Sequence, residues 1–223
     1  PSKNDLIIPA FQRLSRKIGR DRVVWRYDPI FLSEKYTIDY HCKYFEALAK
    51  KLHNYTDKCT LSFIDYYRKT ERNIKALNSA PATLEQKLEL MERFSLIAAN
   101  YGLKLDTCAE GIDLAKFGIG RACCIDKSRL ESIGGYALKV GKDKNQRPEC
   151  GCVESIDIGM YNSCRNGCLY CYANHSEKAV RENLRKHDPN SPLLCGELTE
   201  DDILRERPVA SCRDCQTNLF SGK

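Results

Sequence analysis

The chain has 223 residues, of which 42% are hydrophobic, 30% charged and 9% aromatic, a globular rather than a disordered composition. The net charge of +6 is mild and spread along the sequence, so it speaks first to a solvated surface and only weakly to nucleic acid. The longest apolar run, Cys168–Ala173, is far too short for a membrane helix, and Pro1-Ser2-Lys3-Asn4-Asp5 opens no signal peptide. A reduced, cytoplasmic protein is expected. The first residue is not Met and a helical pattern starts almost at once, so we expect the C-terminal portion of a longer protein.

The first helix is expected over Leu6–Ile18, stopped by Gly19. A β-rich run follows at Arg22–Tyr27 and ends at Asp28-Pro29. Thr37 is placed to cap a helix with Ile38, Phe45, Leu48 and Leu52 at helical spacing. Alternation marks a second strand over Cys59–Asp65. Thr83 and Gln86 then form a capping-box pattern ahead of a helix that runs to Tyr101, with Gly102 as its stop. A third strand is expected at Leu103–Cys108, with short helices at Ile112–Phe117 and near Ser128–Ile133. A Gly- and Lys-rich loop, Gly134–Glu149, leads to a fourth strand at Val153–Gly159, and a last helix covers about Ala173–Lys186.

Strands alternating with helices of this length point to parallel βα units. Four strands cannot close an eight-stranded barrel. The expected fold is therefore α/β, with parallel βα units forming part of an incomplete barrel whose N-terminal strands precede this chain. A small, complete open sheet is the alternative. The domain is expected over residues 1–187, with a cysteine loop at 150–174 and a tail at 188–223 packing on it. In either fold the chemistry belongs beyond the C-terminal strand ends, which carry Arg26 and Asp28, Asp65 and Tyr66, and Cys108 and Glu110.

Cysteine is the compositional outlier, with 13 residues bunched towards the C-terminal half. Without a secretion signal, tight spacings read as metal ligation rather than a disulfide framework. The densest run is Cys164-Arg165-Asn166-Gly167-Cys168-Leu169-Tyr170-Cys171, a CxxxCxxC pattern. Iron–sulfur clusters usually take four thiolates, so a loop offering three leaves one iron open to another ligand. Zinc also binds cysteine, typically as two separated CxxC-like pairs, which this triplet suits less well than a [4Fe–4S] cluster.

A second group is conceivable if neighbouring strands bring Cys108, Cys124, Cys150 and Cys152 together as a four-thiolate site for a second iron–sulfur cluster or zinc. Buried core cysteines are the alternative for these four. Cys42 and Cys59 read as core, Cys195 has no near partner in sequence, and Cys212 and Cys215 form a lone CxxC in the tail. The histidines, His41, His53, His175 and His187, show no ligand spacing, although His175 lies four residues beyond Cys171.

The octapeptide Cys164–Cys171 resembles the signature of the radical S-adenosylmethionine enzymes. That resemblance implies that Cys164, Cys168 and Cys171 hold a [4Fe–4S] cluster, that S-adenosylmethionine chelates its fourth iron, and that Tyr170 lies near the adenine. Asn174 starts the helix behind the loop, where it either caps that helix or contacts the cofactor. The wider segment from Cys150-Gly151-Cys152 to Cys171-Tyr172-Ala173-Asn174, with Trp25–Pro29 and Cys108-Ala109-Glu110, is similar to an uncharacterised bacterial domain-of-unknown-function family with such a cysteine cluster at its C-terminus. Its members are longer at the N-terminus. The expected function is thus an iron–sulfur protein of radical-SAM type acting on an unknown substrate with an electron donor. The alternative is a non-catalytic metal-binding module with a structural or nucleic-acid-binding role.

Overall fold

The computed structural model describes residues 2–66, 74, 77–108 and 110–214. The chain forms two compact units: one of Pro1–Ile64, Ser79–Ser155 and Cys212–Lys223, the other of Asp65–Asn78 and Ile156–Ser211.

The first unit is built on a four-stranded parallel sheet, β1 (Trp25–Ile30), β2 (Lys58–Phe63), β3 (Lys104–Thr107) and β4 (Gly120–Arg121), in that spatial order. The sheet is open and does not close into a barrel. This is the expected parallel βα architecture. β1 continues through Asp28-Pro29 to Ile30, with a register shift against β2 between Tyr27 and Ile30. A proline can be tolerated there because β1 is an edge strand and the ladder already slips at that point.

Three long helices pack with the sheet. Helix α1 (Ile8–Ile18) follows a π-helical turn at Lys3–Ile7 and stops at Gly19, whose φ of 101° suits glycine. Helix α2 (Ile38–Leu52) starts where Thr37 Oγ1 accepts the Tyr40 N–H, and it buries His41, Cys42, Phe45, Ala49 and Leu52 on one face. In α3 (Leu84–Asn100) both bonds of the Thr83/Gln86 capping box are made, and Leu90, Met91, Phe94 and Ala98 face inward. The Phe45 and Phe94 rings stack with centroids 4.1 Å apart, and Trp25 stacks on Phe45 at 4.9 Å, so α2, α3 and β1 share one aromatic core. Central strand β2 contributes the fully buried Cys59 and Leu61, and the core reading of Cys42 and Cys59 holds.

Helix α4 (Lys127–Gly134) begins where Asp126 accepts the Arg129 N–H. Arg129 reaches the Asp21 carbonyl and the Asp57 carboxylate, tying α4 to the N-terminal edge of the sheet. Between β2 and β3, the paired Thr60 and Asp106 share a 2.6 Å hydrogen bond, and Lys58 forms an ion pair with the same carboxylate. The buried Thr60 and Asp106 and the partly buried Lys58 thus satisfy each other.

The strand expected at Val153–Gly159 does not form. The fourth strand is the two-residue β4, and Val153 makes only an isolated antiparallel bridge with Lys142. The reason is local. Asp157 Oδ1 accepts the Gly159 N–H at 2.7 Å, a side-chain turn that competes with a ladder, and Ile158 stands 86% exposed. In the tail, Cys212 and Asp214 exchange backbone bonds with Lys139 and Ala137, while Cys215 lies outside the described residues. In the second unit, α5 (Glu177–Arg185) buries Val180 and begins at Ser176, whose hydroxyl accepts the Ala179 N–H. Ser176, rather than Asn174, is therefore the cap. Among the described residues no helix is long and apolar enough to cross a membrane.

Candidate functional site

The twelve described cysteines are all free thiols, and eight of them gather in two places, one in each unit.

The first gathering is the CxxxCxxC loop ahead of α5. Cys164, Cys168 and Cys171 line a hollow of about 440 Å³, with Asn174, His175 and Arg181 on the same wall. Cys164 and Cys168 are exposed and Cys171 is half-buried. Gly167, at φ 63°, makes the left-handed turn between the first two cysteines that a side chain would oppose. The Cys171 N–H donates to the Cys168 carbonyl at 3.1 Å, which closes the CxxC turn. Asn174 Nδ2 donates to the Cys164 carbonyl, so both ends of the loop are held together. Its Oδ1 is buried without a hydrogen-bond partner. An orphaned acceptor of that kind normally meets a donor. Tyr170 is 37% exposed and does not line the hollow.

Sequence reasoning missed the residue that seats this loop. Asn162, at φ 56°, accepts the N–H groups of His175 at 2.7 Å and Ser176 at 3.2 Å through Oδ1. Its own N–H donates to the Ala173 carbonyl, and its carbonyl accepts from Asn183 of α5. The signal available in sequence was an asparagine, a residue type that tolerates positive φ and bonds nearby backbone, inside a polar loop. Cys195, without a partner in sequence, places its sulfur 2.9 Å from Met160 Sδ.

The second gathering sits at the C-terminal end of the sheet. Cys108 follows β3 and its N–H donates to the Leu61 carbonyl, while Cys124 follows β4. Their sulfurs are 3.4 Å apart. From β1, Arg26 places Nη1 3.1 Å from Cys124 Sγ, and Asp28 holds the guanidinium through Nε at 2.9 Å and Nη2 at 2.6 Å. Burial opposes the charge of Arg26, but the bond and charge of Asp28 outweigh it and hold Arg26 cationic. The hydrogen bond shared with Cys124 outweighs burial at Cys108, and with Arg26 it lowers that thiol from 9.0 to about 6. Cys124, the other partner of that bond and a neighbour of the lowered thiol, is pushed upward.

Cys150 and Cys152 lie beside this pair and are buried. Cys152 Sγ accepts the backbone N–H groups of Cys124 at 3.2 Å and Ile125 at 3.4 Å. Cys123 packs against Gly151 so closely that a Cβ there would fall 2.5 Å from its sulfur. Burial raises the thiols of both Cys123 and Cys150. Among the described residues, no three His, Cys, Asp or Glu side chains stand in positions that could hold a metal ion, in either gathering. The structure thus brings Cys108 to Cys124, Cys152 to the backbone of Cys124, and Cys150 into hydrogen-bond contact with Cys152.

Fold and sites together define an α/β protein with an open parallel sheet and two free-thiol clusters. The chain matches the domain of unknown function (DUF1848) family over residues 1–173 and belongs to that family. The matched span contains both cysteine gatherings and ends two residues beyond Cys171. No curated protein and no solved structure matches it.

Proposed function

We propose that Cys164, Cys168 and Cys171 hold a [4Fe–4S] cluster that binds S-adenosylmethionine, and that the protein is an enzyme of radical-SAM type served by a one-electron donor. The observation that carries this reading is that all three thiols of the CxxxCxxC triplet line one hollow of about 440 Å³. By chemical type the donor set suits the group, because three thiolates would leave one iron without a protein ligand. When bound, the cluster supplies the electron for reductive cleavage of the sulfonium.

The chain's own residues do the holding. Arg165 and Arg181 line the same hollow, beside His175, and bring positive charge to thiolate ligands that carry the opposite sign. Asn174 Oδ1, buried and unpaired, offers an acceptor to an N–H donor of the bound ligand. Asn162 keeps His175 and Ser176 in place behind the loop. Tyr170, next to Cys171, is the aromatic that the resemblance sets beside the nucleotide.

Anaerobic reconstitution with iron and sulfide tests the reading. Wild-type protein is expected to take up about four iron and four sulfide per chain at this loop, and Cys164→Ala, Cys168→Ala and Cys171→Ala each to lose them. Uptake of zinc through these cysteines, with no iron retained, would overturn it in favour of a non-catalytic metal module.

A further inference from the structure

The pair at the sheet end is neither core nor part of the loop above. Cys124 is exposed and Cys108 half-exposed, whereas the core cysteines Cys42 and Cys59 and the neighbouring Cys150 and Cys152 are buried. Two thiols in hydrogen-bond contact, with a guanidinium on one of them and a carboxylate orienting that guanidinium, form an attacking sulfur, a partner and a positioning group. Three separate strands deliver these groups to one place. Cys123, next in sequence to Cys124, is instead packed on Gly151.

We propose that Cys108 and Cys124 form a reversible thiol–disulfide couple that exchanges with low-molecular-weight disulfides, with Cys108 attacking, Cys124 resolving and Arg26 positioning the pair. Cys108, as thiolate, attacks one sulfur of a disulfide RSSR. A Cys108–SR bond forms, the substrate S–S bond breaks, and RS⁻ leaves and takes a proton from water. Cys124 gives its proton to solvent and attacks Cys108 Sγ, forming the protein disulfide and expelling the second RS⁻, which is also protonated. Two electrons pass from the pair to the substrate, giving two RSH. Two equivalents of thiol run the reverse. The lowered Cys108 thiol favours the attacking role, because the thiolate is the nucleophile. The raised Cys124 thiol keeps its proton until the mixed disulfide removes the charge beside it. Arg26 bonds to Cys124 and lies against Cys108, so one guanidinium touches both sulfurs of the exchange.

The test uses the full chain, reduced anaerobically and incubated with defined ratios of glutathione and glutathione disulfide. Free thiols are then blocked by alkylation and the peptides are mapped by mass spectrometry. A Cys108–Cys124 cross-link that forms and is reversed by glutathione is expected. Cys124→Ser is expected to trap one glutathione on Cys108, and Arg26→Met to slow alkylation of Cys108 at pH 7 about tenfold. Should Cys124→Ser not fold, acid-quenched wild type at early times reads the same Cys108 adduct. The proposal is overturned if glutathione attaches to Cys124 while Cys108 stays free. It is equally overturned if both thiols resist oxidation and alkylation together because they bind zinc or iron.

Discussion

Asn162 Oδ1 accepts the N–H of His175 at 2.7 Å, thirteen residues along the chain, and so fixes the distance between the two ends of the cysteine loop. The same oxygen serves Ser176, the cap of α5. The loop that presents Cys164, Cys168 and Cys171 is therefore tied to a helix start through Asn162, alongside the Asn174 bond to the Cys164 carbonyl.

Asn162→Gly keeps the positive-φ backbone and removes only this acceptor. Amide hydrogen exchange at His175 and Ser176 is expected to quicken, at a local cost of about 1 kcal/mol. Asn162→Ala adds the strain of a left-handed alanine, roughly a further 1 kcal/mol. Equal exchange in the glycine variant and wild type would show that the bond does not hold the loop.

The two cysteine gatherings should differ in their effect on stability. Cys168 is exposed, so Cys168→Ala is expected to leave the thermal midpoint nearly unchanged while iron uptake falls. Cys152 is buried and its sulfur accepts two backbone N–H groups. Cys152→Ala leaves those donors without their acceptor and is expected to cost about 1–3 kcal/mol. Paired thermal melts read both, and the reverse order would contradict the assignment of roles.

Cys108 faces Cys124, Arg26 and Cys150, and Asp28 holds Arg26. With its thiol lowered to about 6, Cys108 is mostly thiolate at neutral pH. Its alkylation by iodoacetamide is expected to rise through pH 6 and level off by pH 7, while Cys124, pushed upward, continues to gain reactivity in alkali. Arg26→Met moves the Cys108 profile to higher pH. A Cys108 profile centred near that of an ordinary thiol in wild type would refute the assignment.

His41 is buried in α2 and wedged between two partners. Its Nε2–H donates to the Phe31 carbonyl at 2.9 Å, which leaves Nδ1 to accept the Tyr27 hydroxyl at 2.9 Å. Burial outweighs the Phe31 bond and lowers its pKa below 6.5. Between the folded and unfolded values the unfolded chain binds more protons, so unfolding free energy rises with pH and falls as the pH drops below 6.5. Denaturant titrations between pH 5 and 7 are expected to show that slope in wild type and a shallower one in His41→Gln. An identical slope in both would place the acid sensitivity elsewhere.

Much of the fold was legible because its signals are local. Thr83 and Gln86 announced α3, and the spacing of Phe45, Leu48 and Leu52 announced α2. Strand β4 was not legible, since two residues carry no period, and the alternation at Val153–Gly159 misled because Asp157 turns the chain back on Gly159. At the sites, the CxxxCxxC spacing and the polar strand ends at Arg26, Asp28 and Cys108 stood out in sequence. Cys108 and Cys124 were expected to meet through neighbouring strands, but their 3.4 Å approach comes from β4 pairing beside β3, not from a strand at Val153–Gly159.

The central claim is that the Cys164–Cys171 loop serves S-adenosylmethionine chemistry. The most direct measurement is electron paramagnetic resonance of the reconstituted, dithionite-reduced protein, with and without S-adenosylmethionine. A reduced-cluster signal whose g-values shift on addition, and which is lost in Cys168→Ala, is the predicted result. A full cluster whose spectrum is the same with and without S-adenosylmethionine would contradict it.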